Sequence, residues 1–260
     1  MRPFFQHLPE YASEACCLGL FMISATTFAI LLQLPTSPLV GWTSSDWLAR
    51  LPMGLAMGLT AAALIYSPPG RRSGAHMNPA VTLAFLRLGK ISATDALAYL
   101  VAQFTGAAAG IALTIPLFHG LAGDPSINYV ATAPGISGSA AAFAGEAAMS
   151  FLLMLTVLLM SNTTRAARFT GIAAATLVAA FIVVEAPLSG MSMNPARSFG
   201  SALFAHSAGL WIYFTAPPLG MLSAAETYRH IVGGGSVRCA KLHHPPSTAC
   251  IFACGYLETP

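Results

Sequence analysis

Charged side chains are scarce in this chain of 260 residues: Asp, Glu, Lys and Arg together make up 8% of it. A soluble domain has roughly a quarter of its residues charged, so this shortage excludes an ordinary soluble protein. Hydrophobic residues make up 55% of the chain, and the mean hydropathy is +0.67. The basic residues are scattered through short loops, which excludes a basic face that binds nucleic acid. The composition indicates a protein of the lipid bilayer.

Cysteine is also scarce, and its count of five is odd, which argues against a disulfide framework. Two cysteines, Cys16 and Cys17, lie in the first apolar stretch. The others lie near the C-terminus together with two histidines: Cys239, His243, His244, Cys250 and Cys254. Such residues can bind a soft metal, but their spacing matches no standard zinc pattern. We therefore predict no metal and no cofactor.

The chain does contain a repeated octapeptide. It reads SGAHMNPA at residues 73–80 and SGMSMNPA at residues 189–196, with six of eight positions identical. A single Asn-Pro pair is an ordinary turn or helix-start signal. Two of them in matching hydropathic surroundings indicate a duplicated membrane element.

Six stretches are apolar enough for a bilayer core, which takes roughly 20 helical residues to cross: about 13–34, 48–67, 93–118, 140–161, 168–187 and 208–230. Glu10 and Glu14 interrupt the first apolar region, so we expect no cleavable signal peptide. The predicted organisation is an N-terminal segment 1–12, a membrane domain 13–230 and a tail 231–260. Within the domain, repeat one covers about 13–118 and repeat two about 140–230.

The basic residues predict the orientation of the spans. With the N-terminus inside, ten of the twelve lie on the cytoplasmic side: Arg2, Arg71, Arg72, Arg87, Lys90, Arg165, Arg168, Arg229, Arg238 and Lys241. Arg50 and Arg197 fall on the other side, and the loop 119–139 has no Lys or Arg. The positive-inside bias predicts that both termini are cytoplasmic. The short loops favour a plasma membrane, specifically a bacterial inner membrane.

Each Asn-Pro pair suits the start of a short helix. Proline fits the first helical position, where its missing N–H costs nothing, and asparagine fits the cap before it. The apolar stretches that follow, about 79–88 and 195–204, would extend about 15 Å as helices, half the hydrocarbon thickness. Three spans per repeat is an odd number, so the second repeat is inverted. The two half-helices then meet at the midplane, and their positive N-termini repel cations while the amides attract neutral polar molecules.

The twin Asn-Pro-Ala segments, the six spans and the sequence MNPARSFG identify the chain as a member of the aquaporin (major intrinsic protein) family over about residues 10–230. The resemblance implies an all-α membrane protein, a right-handed bundle of six transmembrane helices plus two re-entrant half-helices, assembled as a homotetramer. It also implies the residues of the pore motifs: Asn78, Pro79, Ala80, Asn194, Pro195 and Ala196. Glu14 and Glu146 resemble the glutamates that brace the loop backbones. His76 is expected near the inner mouth as a packing or hydrogen-bonding residue.

The resemblance also assigns the narrow outer filter to four positions. Arg197 matches the family's arginine, and Met191 takes the loop position three residues before the second asparagine. Ile182 stands where strict water channels have a histidine. Met57 stands at the aromatic position of helix two, unless the alignment shifts by one residue to Gly58. This filter has one polar group, which favours solutes such as glycerol, ammonia or peroxide.

Other positions resemble the water-channel subgroup: Ser198, Ala202, Tyr213 and Phe214. We therefore expect a passive channel for water and other small uncharged solutes that excludes protons and ions. The alternative is a facilitator mainly for glycerol, ammonia or peroxide. A second alternative, of a different class, is a proton-coupled transporter or membrane enzyme whose carboxylates would be Glu14, Glu146 and Glu185. No nucleophile–base pair or HExxH-type motif supports an enzyme. Glu185 is expected to face the outer vestibule, to pair with Arg197 or to lie on the surface.

Overall fold

The structure, a computed structural model, describes residues 5–205, 207–233, 237–245 and 250–256. In these ranges the chain forms helices and no strand. The helices, in chain order, are α1 Leu8–Gln33, α2 Asp46–Tyr66, α3 Pro68–Ser73, α4 Pro79–Arg87, α5 Ala93–Leu117, α6 Gly138–Ser161, α7 Thr170–Ser189, α8 Pro195–Ala202 and α9 Leu210–Val232. Three single-turn 3₁₀ helices, Leu121–Gly123, Asn128–Val130 and Ala167–Phe169, lie in the connections.

Six of these helices are long, and each matches one predicted span. Within the described ranges, five are long and apolar enough to cross a membrane: α1, α2, α5, α6, and α7 extended back to Ala167. The sixth, α9, has 23 residues, but Pro217, Pro218 and the polar end that contains Glu226 and Arg229 lower its hydropathy. Large apolar side chains on these helices, among them Leu59 and Val184, are exposed, as lipid contact requires.

The helices pack as two related halves. Helix α1 packs along α5, and α6 packs along α9 in the same way, while α2 and α7 contact each other across the centre. The short helices cross between the halves: α4 of the first repeat contacts α9, and α8 of the second contacts α5. The two short helices also touch each other. This pairing is that of the predicted inverted repeat.

Glycines allow the closest helix approaches. A Cβ placed on Gly106 of α5 would lie 2.3 Å from the carbonyl oxygen of Ala15, and one on Gly220 of α9 would lie 2.2 Å from that of Ala147. These two contacts occupy equivalent places in the two halves. Without hydrophobic drive between helices in lipid, such small-residue contacts permit the dense packing that holds a bundle together.

The first helix differs from the prediction. It begins at Leu8, whereas the apolar stretch suggested a span from about residue 13. Glu10 and Glu14, expected before or at the start of the span, are both buried within the helix. Glu10 accepts a hydrogen bond from Nε of Arg72 at 3.3 Å. A helix can begin before the part of it that lies in the bilayer, so the start of the span near residue 13 stays a prediction.

Candidate functional site: a pore between two half-helices

The two short helices begin with the same cap. Oδ1 of Asn78 accepts a hydrogen bond from the backbone N of Ala80 at 2.9 Å. Oδ1 of Asn194 accepts hydrogen bonds from the N of Ala196 at 3.0 Å and of Arg197 at 3.2 Å. Pro79 and Pro195 occupy the first helical positions, as their fixed φ favours. Both asparagine side chains therefore have their oxygen engaged and their nitrogen free to act elsewhere.

The amide nitrogens connect the two loops. Nδ2 of Asn78 donates to the carbonyl oxygen of Met193 at 2.7 Å, and Nδ2 of Asn194 donates to that of Met77 at 2.6 Å. Each carboxamide nitrogen carries two hydrogens, so one remains on each side chain after these bonds. Both asparagines line the same cavity. The half-helix N-termini thus meet, and each can present a donor to that cavity.

A buried carboxylate supports the backbone of each loop. Glu146 accepts hydrogen bonds from the backbone N of Ser192 at 2.7 Å and of Met193 at 2.6 Å. In the other half, Glu14 accepts one from the backbone N of Met77 and one from Nε2 of Gln103 at 2.8 Å. Both carboxylates are fully buried. They satisfy loop N–H groups that would otherwise be unpaired in an apolar setting.

The loops need this support because their backbones are strained. Ala75 and Met77 have φ of 55° and 48°, and Met191 and Met193 have φ of 52° and 53°. Such conformations cost of order 1 kcal/mol or more for a residue with a side chain. Strain at alternate residues in both loops puts the chain in an irregular path that lines a cavity, the setting where membrane proteins tolerate non-helical backbone.

One cavity of about 580 Å³ runs past both asparagines. At one end it is lined by Gln33 and Arg50, near the end of α1 and the start of α2. At the other end it reaches His76 and the tail residue Leu242. Its walls are mainly apolar, so the asparagines stand out as paired polar groups near the middle.

The four residues proposed for the outer filter all line this cavity: Met57, Ile182, Met191 and Arg197. Gly58, the alternative to Met57, packs on α7 instead, where a Cβ would lie 2.7 Å from the carbonyl oxygen of Ala175. Nη1 of Arg197 is buried and has no hydrogen-bond partner among the described residues. An unpaired guanidinium donor beside three apolar side chains can bind the oxygen of a passing solute.

Comparison with known proteins decides the family. The sequence profile described as Major intrinsic protein matches residues 8–228. The chain belongs to the major intrinsic protein family. It is 35% identical to Aquaporin NIP1-1 of Arabidopsis thaliana over 193 residues, 72% of this chain and 64% of that one. It is 38% identical to Glycerol uptake facilitator protein-like 6 of Lactiplantibacillus plantarum over 179 residues, 67% of this chain and 82% of that one.

The fold is shared with a solved structure. The X-ray structure of the aquaglyceroporin from Plasmodium falciparum matches with a TM-score of 0.71, at 20% identity, over 88% of this chain and 98% of that one. At such low identity the likeness shows the fold alone. The match to NIP1-1 spans a little under two thirds of that protein's length.

Glu185 is placed differently in this major intrinsic protein from any of the three expected positions. It is buried rather than on the surface, and it does not line the cavity or form an ion pair with Arg197 among the described residues. Its Oε2 accepts a hydrogen bond from the hydroxyl of Ser189 at 2.9 Å, and its Oε1 fits against Gly145. The same hydroxyl also contacts Glu146 at 2.6 Å. Helical spacing alone suggested the outer mouth, but the α6–α7 contact turns the side chain inward.

Sequence reasoning missed two contributions to the ends of the cavity. Arg50 lines the outer end, and its Nε donates to the carbonyl oxygen of Val183 at 2.8 Å. Its position at the start of a span on the side with few basic residues was the signal that could have found it. Leu242 lines the inner end from the tail, and no pattern in the sequence pointed to it.

His76 lies where the tail meets the pore. Its Nδ1 is 3.0 Å from the hydroxyl of Thr82, and its Nε2 is 2.8 Å from the carbonyl oxygen of Ala240. The imidazole stacks between the rings of Phe85 and Phe252, with centroids 5.1 Å and 5.5 Å away. The ring is therefore held on both faces and at both nitrogens, an arrangement that fits packing and hydrogen bonding.

Proposed function

We infer that this chain is a passive transmembrane channel for water and other small uncharged solutes. The observation that supports it most directly is the meeting of two half-helix N-termini at a cavity, with Asn78 and Asn194 side by side. Each asparagine keeps an N–H that can donate to a solute oxygen, while the half-helix dipoles place positive potential at the same point. Neutral solutes that accept hydrogen bonds are stabilised there and cations are repelled.

We propose that the same site excludes protons. Two donors from opposite half-helices that bind one water molecule orient its hydrogens away from the centre, which interrupts a hydrogen-bonded relay. Pore-lining hydrogen-bond donors and the positive ends of half-helix dipoles set selectivity in aquaporin-type pores, and the geometry of the asparagine pair supports the same role here. Glu14 and Glu146 do not offer a relay, since both accept hydrogen bonds from loop backbone and neither lines the cavity. A coupled transporter or an enzyme is therefore disfavoured.

We propose Met57, Ile182, Met191 and Arg197 as the selectivity filter. Three of these side chains are apolar, and methionine adapts its shape readily. A single guanidinium on an apolar wall suits a solute with hydroxyls on one side and carbon on the other. The relatives described above include both an aquaporin and a glycerol uptake facilitator. We expect water permeation, with glycerol as the second solute that the filter favours.

Stopped-flow light scattering on proteoliposomes tests this function. A water gradient followed by a glycerol gradient measures the two permeabilities, and a pH-sensitive dye inside the vesicles measures proton flux. We expect water permeability above that of protein-free vesicles, measurable glycerol permeability and proton flux at the background level. Water and glycerol permeabilities both equal to the protein-free control would overturn the channel assignment. Proton flux above background would overturn the barrier argument alone.

We propose a homotetramer in a plasma membrane, with both termini in the cytoplasm. The positive-inside distribution of the basic residues supports the orientation, and the family resemblance supports four subunits. Exposed apolar side chains on the long helices, such as Leu59 and Val184, offer surface for lipid or neighbouring subunits. Light scattering of the detergent-purified protein gives the subunit number. Protease treatment of sealed inside-out vesicles should cleave the tail.

A further inference from the structure

Four tail side chains converge on one point beneath the pore. The thiols of Cys239, Cys250 and Cys254 and the imidazole of His244 have their ligand atoms within 4.8 Å of one another. Sγ of Cys239 is 3.4 Å from Sγ of Cys250, and Sγ of Cys254 is 3.2 Å from Nε2 of His244. Spacing along the chain did not suggest a site, because the intervals between these residues follow no common zinc motif. The fold nevertheless brings three sulfurs and one nitrogen together.

This donor set matches a structural zinc site in kind and in size. Cys₃His is one of the ligand sets that hold zinc tetrahedrally, with Zn–S of about 2.3 Å and Zn–N of about 2.0–2.1 Å. Those bonds place two sulfurs about 3.8 Å apart and a sulfur and a nitrogen about 3.5 Å apart in a regular tetrahedron. The two short distances in the tail lie within a few tenths of an ångström of these values. Small side-chain rotations would complete the geometry.

Contacts with the channel keep the tail segments in place. The backbone N of Leu242 donates to the carbonyl oxygen of Gly74 at 3.1 Å, and the backbone N of Ala253 donates to the carbonyl oxygen of Lys90 at 3.1 Å. The backbone N of Arg238 donates to Oδ1 of Asn162 at 2.6 Å. These partners lie in three different connections of the channel, all on the side predicted to be cytoplasmic. The tail is thus attached across the inner face of the bundle.

A lysine completes this attachment. Lys241 is buried, and its Nζ donates to the carbonyl oxygen of Arg71 at 2.8 Å. A positive group between the cluster and the channel suits a site that carries a net negative charge when three thiolates bind a divalent ion. Lys241 therefore links the cluster to α3.

The attached tail places Leu242 at the inner end of the cavity and Phe252 against His76. Leu242 lines the cavity and is 6% exposed, and Phe252 stacks on His76. Leu242 and Phe252 are close in sequence to the cluster residues on either side, His244 and Cys250. Whatever holds the cluster together consequently holds an apolar leucine at the inner mouth, where it narrows the path from the cytoplasm to the asparagines.

We propose that Cys239, His244, Cys250 and Cys254 bind one zinc ion per chain, and that the metal fastens the tail across the cytoplasmic mouth so that Leu242 restricts the pore. The restriction rests on the proposed function, whereas the metal site does not. Loss of the ion frees the two tail segments from each other, withdraws Leu242 and raises permeability. The site is a metal-dependent inner gate.

A disulfide between Cys239 and Cys250 is the competing explanation of their 3.4 Å contact. A disulfide would not account for the 3.2 Å distance between Sγ of Cys254 and Nε2 of His244. Thiols on the cytoplasmic side are kept reduced, and the predicted orientation puts the tail there. The zinc site accounts for all four side chains.

Metal content tests the site independently of transport. Protein purified without chelator should hold one zinc per chain by inductively coupled plasma mass spectrometry, and cobalt substitution should give the visible absorption of tetrahedral thiolate coordination. Cys254→Ser and His244→Ala should each weaken zinc binding by at least about 100-fold, the upper end of what loss of a supporting residue costs. Cys16→Ser, at an exposed cysteine on α1, is the matched control and should keep full zinc content.

Three results would overturn the metal site. The first is a zinc content below about a tenth of an ion per chain after incubation with zinc and removal of the excess. The second is a cobalt spectrum of octahedral type. The third is a Cys239–Cys250 disulfide, shown by peptide mass spectrometry, in protein prepared under reducing conditions. Because the cluster lies outside the membrane helices, each variant should still fold, and its elution from a size-exclusion column checks this.

Permeability then tests the gate. Proteoliposomes are loaded with zinc or treated with a membrane-permeant chelator, and water permeability should rise at least about twofold on chelation, as removal of an apolar constriction predicts. Leu242→Ala should show the same high water permeability as the chelated protein while zinc is still bound. Unchanged permeability on chelation, in protein that has lost its zinc and still conducts water, would overturn the gate and leave both the metal site and the channel function standing. No conductance in either state would instead count against the channel function.

Discussion

Asn78 and Asn194 each donate a hydrogen bond to the loop that carries the other, at 2.7 Å to the carbonyl oxygen of Met193 and at 2.6 Å to that of Met77. The first bond joins residues 115 apart in the sequence and the second joins residues 117 apart. The two re-entrant segments are therefore one connected unit. A displacement of either half-helix would break a bond in the other half. This mutual support explains how two strained loops remain aligned around a narrow cavity.

Removal of the Arg197 guanidinium should weaken ion exclusion. A unit charge about 8 Å from a cation repels it by about 2 kcal/mol at an effective dielectric constant of about 20, so Arg197→Ala should raise cation and proton leak by roughly tenfold or more. Dye-based flux measurements in proteoliposomes check this. The exposed residue Arg165 gives the control variant, Arg165→Ala. A leak that stays at the wild-type level in Arg197→Ala would show that the asparagine pair alone sets the barrier.

A histidine at position 182 should shift the channel towards water. Ile182→His adds a donor and bulk opposite the guanidinium in the proposed filter, which disfavours the carbon side of a polyol. The ratio of glycerol to water permeability should fall by roughly tenfold, the low end of what one group is worth in a fitted apolar site. Stopped-flow scattering gives both values, and Ile182→Leu serves as the size-matched apolar control. An unchanged ratio would place the constriction elsewhere in the cavity.

Loss of the Glu146 carboxylate should destabilise the second loop. Glu146→Ala leaves the backbone N–H groups of Ser192 and Met193 without their acceptor, and each such buried donor costs about 1–3 kcal/mol. The midpoint of thermal unfolding in detergent should fall, and water permeability should be lost. Glu226→Gln removes partly exposed ion pairs with Arg87 and Arg229, each worth at most about 1 kcal/mol, and should change little. Equal midpoints for the two variants would contradict the bracing role.

A side chain at position 106 should disrupt the bundle. Even a Cβ there would lie 2.3 Å from the carbonyl oxygen of Ala15, so Gly106→Val forces α1 and α5 apart at a cost of about 1–3 kcal/mol or more. The yield of monodisperse protein and its thermal midpoint should both drop. Ala109→Val, at an exposed position of the same helix, should behave as wild type. Comparable yields would mean that the helices separate without penalty.

The half-helices and their caps could be predicted from local rules. Proline at the first helical position and asparagine before it are chain-local signals, and the structure starts the two helices at Pro79 and Pro195. The six long helices followed from apolar runs of bilayer length, because lipid demands internally satisfied backbone. The inverted packing followed from the duplication of the octapeptide across an odd number of spans.

The side-chain positions that depend on helix rotation could not be predicted. Glu185 lies one helical turn from Ile182, yet it is turned to α6 and Ser189 while Ile182 lines the cavity. Tyr213 resembles the residue of the water-channel subgroup in sequence, and in the structure its hydroxyl donates to the carbonyl oxygen of Ser189 at 2.5 Å. When a helix is apolar on all sides, the distribution of its apolar residues does not indicate which face contacts which neighbouring helix.

The sequence by itself determined the membrane class, the duplicated half-helices and the residues at their N-termini, because each rests on local backbone chemistry or on the length of an apolar run. Only the tertiary structure decided where the tail lies. His76 and Ala240 are in contact although 164 residues separate them in the sequence, and Lys241 contacts Arg71 across 170 residues. Contacts over such separations leave no period or spacing in the chain, since they depend on how the finished bundle shapes its inner face.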